Sequence, residues 1–150
     1  MNAQARKKLV ASLLSASKQA AVREAAAILA EPEPSLSFVR LHLKRYITCK
    51  FMLEADCAED RLMELASLSL QRTMKLDRNL IRELDQAAPC DHATSESTKK
   101  VLLLYAIQTD LSIHPDPAEL TGAVTVQDLA LVVYRALKRT RGARSENPQR

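Results

Sequence analysis

Glycine is almost missing from this 150-residue chain: there are two. Tight hairpins depend on residues that accept positive φ, so a chain this poor in glycine is badly equipped to turn a many-stranded sheet. Tryptophan is absent and aromatic residues make up 3% of the sequence, which leaves no stacking platform for single-stranded nucleic acid. Cysteine is scarce as well. Cys49, Cys57 and Cys90 are odd in number, widely spaced and without a CxxC pair, so neither a disulfide framework nor a zinc site is expected. They read as reduced, half-buried thiols. No apolar run approaches the roughly 18 residues of a membrane span, the longest being 101–107. Lys7 and Lys8 precede only residues 9–14, broken by Ala and Ser, which is not the apolar core of a secretory signal. A cytoplasmic protein is the expectation.

The remaining composition is that of a helical protein. Ala, Leu, Lys, Arg, Glu and Gln dominate, and these are the better helix formers. One domain's length is enough to bury a core without staples. The net charge of +4 is modest and suits an acidic protein partner better than nucleic acid. Much of the excess lies in Arg40, Lys44, Arg45 and Lys50 and in the tail from Lys138 to Arg150.

Periodicity divides the chain into five or six helices, an all-α bundle. Leu9, Leu13, Ala16, Ala20 and Ala27 mark a first helix over 3–30, which Pro32 and Pro34 stop. Ser35 or Ser37 caps a second over 37–54, with a basic side from Arg40 to Lys50. Residues 56–60 break the pattern, and Glu59 or Asp60 opens a third helix to Met74 through Leu62, Leu65, Ala66 and Leu70. Asp77 opens a short helix carrying Leu80, Ile81 and Leu84, and 87–97 read as a loop. The apolar run 101–107 makes the helix over 97–111 the expected centre of the bundle, packed on 61–74 and 126–138. A turn at 117–120 follows, and Thr125 with Asp128 caps a last helix over 126–138. A disordered tail is expected over 141–150.

No catalytic constellation emerges. Cys90 and His92 are near neighbours in a loop without a third orienting group, and with Asp91 they lack a further metal ligand. His42 lies in a basic helix and His114 beside Pro115; Glu31 and Glu33 belong to a proline linker. There is no glycine-rich phosphate loop. The chain does not read as an enzyme.

The segment from Ser97 to Lys138 resembles the second half of an acyl carrier protein. Ser97 opens an apolar helix ending at Leu111. The sequence Leu111-Ser112-Ile113-His114-Pro115-Asp116 follows the apolar–x–apolar–Pro–acidic loop, and Thr125-Val126-Gln127-Asp128-Leu129 the start of the last helix. The resemblance implies a carrier-like unit over 59–140 with an added helical hairpin over 1–54. It also implies a 4'-phosphopantetheine group on Ser97, or on Ser95, and partners among phosphopantetheinyl transferases and acyl-handling enzymes. Two departures stand out. Glu96-Ser97-Thr98 lacks the apolar residue after the serine, and Lys99 and Lys100 replace the acidic surface through which the family meets basic partners. The alternative is a non-catalytic adaptor that binds an acidic partner through the basic second helix.

Overall fold

The computed structural model describes residues 3–74 and 95–145. They form α1 (Ala3–Ala30), α2 (Leu36–Lys50), α3 (Leu62–Met74), α4 (Glu96–Leu111), α5 (Pro117–Gly122) and α6 (Val126–Ser145). The fold is an all-α bundle. The short helix expected after Asp77 and the Cys90–His92 pair lie outside the described residues. No helix among the described residues is long and apolar enough to cross a membrane.

α1 and α2 are an antiparallel hairpin. The Ser17 hydroxyl donates to the Cys49 carbonyl, and His42 Nδ1 lies 2.7 Å from Glu24 Oε2. The face that α1 buries is not the expected leucine stripe. Val10, Ala21, Ala25 and Ile28 go inside, while Leu9 and Leu13 remain exposed. The small side chains at Ala21 and Ala25 let α2 approach closely, and α2 brings the bulk: Val39, Leu43, Tyr46 and Ile47. Complementary sizes across the contact outweigh the larger transfer energy of the two leucines.

Ser35, not Ser37, caps α2; its hydroxyl accepts from the Phe38 amide at 3.1 Å. The helix stops at Lys50, short of the expected 54. Met52 adopts a left-handed conformation (φ 57°), and the Leu53 amide turns back to the Thr48 carbonyl at 2.8 Å. This closure commonly uses glycine, so Met52 gives no signal for it.

The N-termini of α3 and α6 are held side by side. The Leu62 amide donates to the Val124 carbonyl and the Val126 amide to the Asp60 carbonyl, an isolated antiparallel bridge between Arg61 and Thr125. Glu59 Oε1 accepts from the Asp60 and Arg61 amides, so α3 begins at Leu62 rather than at Glu59 or Asp60. At α6 the expected box is present. Thr125 Oγ1 accepts from the Asp128 amide, and Asp128 Oδ2 accepts from the Val124 and Thr125 amides, each at 3.1 Å.

The packing differs from expectation in two further respects. α4 rests on α3 as expected, but its second neighbour is α1 rather than α6, which takes α2 as its principal neighbour. α4 is also not the most buried helix. It contributes Leu103, Leu104, Ile107 and Leu111, while Val101 is 60% and Tyr105 69% exposed. α6 instead buries Val126, Leu129, Ala130, Val132, Val133, Ala136 and Leu137. Residues 1–54 and 59–140 contribute to the same hydrophobic core, with Leu43 and Tyr46 in one cluster with Ile107 and Val133. Nor does the last helix end at Lys138. It runs on to Ser145, because the Arg141 guanidinium donates to the carbonyls of Leu29, Glu31 and Pro32 at 2.6–3.2 Å. That contact closes the C-terminal end of α1, whose last carbonyls have no partner inside the helix.

Candidate functional site

α4 opens on Ser95. This residue is extended (φ −131°, ψ 159°), and its hydroxyl accepts from the Thr98 amide at 3.2 Å. Ser95 Oγ also lies 2.9 Å from Thr98 Oγ1 and 3.3 Å from Ser97 Oγ. Ser95 is therefore the N-cap, and its oxygen is engaged in holding the first turn. Ser97 stands two positions further on, exposed. The first intrahelical bond is the Lys99 amide to the Ser95 carbonyl at 3.0 Å, so the amides of Glu96 and Ser97 precede the helix ladder and point with the positive end of its dipole. No histidine or carboxylate is hydrogen-bonded to the Ser97 hydroxyl among the described residues. The arrangement offers an accessible acceptor alcohol, not a self-activated nucleophile.

Lys99 and Lys100 are drawn away from Ser97. Lys99 Nζ donates to Ser69 Oγ at 3.0 Å and lies 5.5 Å from the centre of the Phe51 ring; Ser69 Oγ in turn donates to the Phe51 carbonyl. Lys100 Nζ donates to the Thr121 carbonyl of α5 at 3.3 Å. Both lysines fasten α4 to its neighbours.

The loop after α4 uses the apolar, proline and acidic positions of the run. Leu111 and Ile113 are buried. Ser112 takes the left-handed conformation (φ 51°) that turns the chain, with the Ile113 amide bonded to the Gln108 carbonyl. Pro115 is buried, His114 exposed, and Asp116 caps α5 through the Ala118 amide at 3.1 Å.

The basic side of α2 is partly engaged within the fold. Arg40 meets Asp60 at 3.6 Å, and Lys44 donates to the Glu59 carbonyl. Arg40, Lys44 and Asp60 line an open groove of about 480 Å³ with Leu36, Leu41, Cys57 and Gln127. Cys49 and Cys57 are half-buried free thiols, and burial pushes the Cys49 thiol up. Among the described residues no His, Cys, Asp and Glu side chains gather as a metal site.

One feature escaped sequence reasoning. The apolar run of α4 turns Val101 and Tyr105 outward, on the same side as Ser97. The positions of the helix's charges, 96, 99, 100 and 110, point the wrong way, since charges ordinarily mark the solvent side and all four fall on the side away from Val101 and Tyr105. The chain matches no protein-family model, no curated protein and no solved structure.

Proposed function

We propose that this chain is an acyl-carrier-like protein that presents a thioester-linked group to partner enzymes, with Ser97 as its attachment residue. The observation that carries the reading is the division of labour at the start of α4: Ser95 caps the helix, which leaves Ser97 exposed beside the first-turn amides. The order of long helix, short helix and capped long helix after Ser97 supports it, as do the parts played by Leu111, Ser112, Ile113, Pro115 and Asp116 in the loop. The residues present fit a phosphopantetheine group: a primary hydroxyl to take the phosphodiester, and a helix N-terminus to receive its charge. When bound, that group supplies a terminal thiol for the acyl cargo. The chain's own part is to hold the hydroxyl in reach, keep Lys99 and Lys100 off it, and leave the chemistry to its partners. Intact mass after incubation with coenzyme A and a broad-specificity phosphopantetheinyl transferase tests the proposal: one added group is expected on the parent chain and none on Ser97→Ala.

A second reading, a non-catalytic interaction protein, is favoured by the exposed Val101 and Tyr105. The basic side of α2 favours an acidic partner less than its composition suggests, because Arg40 and Lys44 already have partners within the chain.

A further inference from the structure

Two leucines of α1 that periodicity assigns to the core stand in water: Leu9 is 48% and Leu13 41% exposed. Both lie beyond the end of α2. Ser17 meets Cys49 in the last turn of α2, and the chain reverses at Met52. Residues 3–16 therefore run past their hairpin partner, roughly 21 Å of helix at 1.5 Å per residue. Every side chain along this stretch is exposed except Val10 and Leu14.

The same stretch carries charge of one sign. Arg6, Lys7, Lys8, Lys18 and Arg23 are its cations, and residues 3–23 contain no Asp or Glu. Helical register puts Ala5, Leu9, Ser12, Leu13 and Ala16 on one uncharged strip. Arg6 borders one edge of that strip and Lys8 the other, while Arg23 closes it toward the hairpin.

We infer that this face of α1 lies on an anionic phospholipid bilayer, with Leu9 and Leu13 entering the headgroup boundary and Arg6 and Lys8 meeting lipid phosphates on either side. The charge selects an anionic surface. The leucines select lipid over nucleic acid, whose phosphate backbone gives them nothing to bury against. Cations along both edges of an apolar strip select a flat surface that continues to either side of the helix, as a bilayer does and the flank of an acidic protein does not. The strip is shallow, two leucines among alanines and a serine, so apolar burial alone does not hold it and anionic headgroups are required. Attachment of this kind needs no spanning helix, and none is present among the described residues. The inference does not rest on the carrier proposal, since Ser97 takes no part in it.

Co-sedimentation of the full chain with large unilamellar vesicles is the test. Phosphatidylcholine vesicles with about 30% phosphatidylglycerol should carry the chain down at about 0.1 M salt, and pure phosphatidylcholine vesicles should not. Salt at about 1 M, where the screening length falls to about 3 Å, should release most of it. Lys8→Ala should weaken partition about fivefold, and Arg6→Ala with Lys8→Ala about 25-fold. Leu9→Ser with Leu13→Ser keeps every charge and should weaken it about tenfold. These variants should melt close to the parent chain, because the side chains they alter face water. Lys138→Ala with Arg139→Ala removes two exposed cations from α6 instead and should bind nearly as the parent chain does. A parent chain that ignores the anionic vesicles overturns the proposal and leaves the face to an acidic protein. Binding that survives the loss of both leucines is attraction between charges alone and also overturns it, as does binding lost equally in the α6 variant.

Discussion

The hydroxyl of Tyr46 on α2 donates to Asp110 Oδ2 on α4 at 2.6 Å, with the Tyr46 side chain almost wholly out of water. This bond joins the N-terminal hairpin to the helix that follows Ser95. Burial, and then the neighbouring carboxylate, push the Tyr46 phenol well above the ordinary tyrosine range. The folded state therefore holds the phenolic proton more tightly than the unfolded state. The resulting stability is complete below the unfolded pKa of about 10 and declines as pH rises beyond it. Tyr46→Phe should lower unfolding free energy by about 1.5–3 kcal/mol at neutral pH, the range for hydrogen bonds to charged groups. It should also flatten the loss above pH 10. Denaturant titrations of both proteins at several pH values check this, and equal alkaline slopes would contradict it.

Leu104 and Val101 belong to the same apolar run and should behave oppositely. Leu104 is buried and Val101 faces water. Leu104→Ala should cost about 2–5 kcal/mol, the usual range for a buried leucine. Val101→Ala should stay within about 0.5 kcal/mol, as surface changes do. Chemical denaturation that ranks the two in the other order would mean that α4 is rotated from the position described.

The Asp128 carboxylate is held below its ordinary pKa, first by the Val124 amide, then by that of Thr125. A lowered folded pKa contributes stability above the unfolded value of about 3.9, and this is lost as pH falls through the folded value. Asp128→Asn should therefore show a shallower acid limb than the parent chain when thermal midpoints are followed from pH 6 downward. Superimposable acid limbs would remove the cap from the account.

Much of this fold was legible in the residues. Scarce glycine, prolines at 32 and 34 and the Thr125–Asp128 box located helices and one cap correctly, because these signals are local. The errors concern facing. Leu9 and Leu13 were expected inside and lie at the surface, since α1 is chosen by the shape of α2 rather than by its own hydrophobicity. The run 101–107 suggested a central helix, yet apolarity alone did not show that Tyr105 points out. Met52 and Ser112 take left-handed conformations without glycine, so the ends they make carried no local mark. At the candidate site, Ser95 and Ser97 were both visible. Which of them caps the helix depends on a single hydroxyl-to-amide bond that sequence does not order.

The shared core carries a further consequence. Val39, Leu43, Tyr46, Ile47 and Phe51 lie in one cluster with Ile107, Leu111 and Val133. Removal of residues 1–54 should expose those partners, so a fragment over 59–140 should lack a cooperative thermal transition. Calorimetry decides: a sharp unfolding peak for the fragment would show that residues 59–140 fold without the hairpin.

The most direct test concerns Ser97. The parent chain, Ser95→Ala and Ser97→Ala are each incubated with coenzyme A and a broad-specificity phosphopantetheinyl transferase, and their intact masses are read. Ser95→Ala should lose about 1 kcal/mol of stability, as N-cap removal does, and still be modified. Ser97→Ala should unfold like the parent chain and stay unmodified. Reversing Lys99 is a poor control for surface charge, because a carboxylate there would face the Phe51 ring in place of an ammonium bonded to Ser69. Lys100→Glu, which alters a more open contact on Thr121, is the suitable variant. The account predicts one added phosphopantetheine mass on the parent chain that disappears only with Ser97. An unmodified parent chain, together with an unmodified Lys100→Glu variant across several transferases, would contradict it.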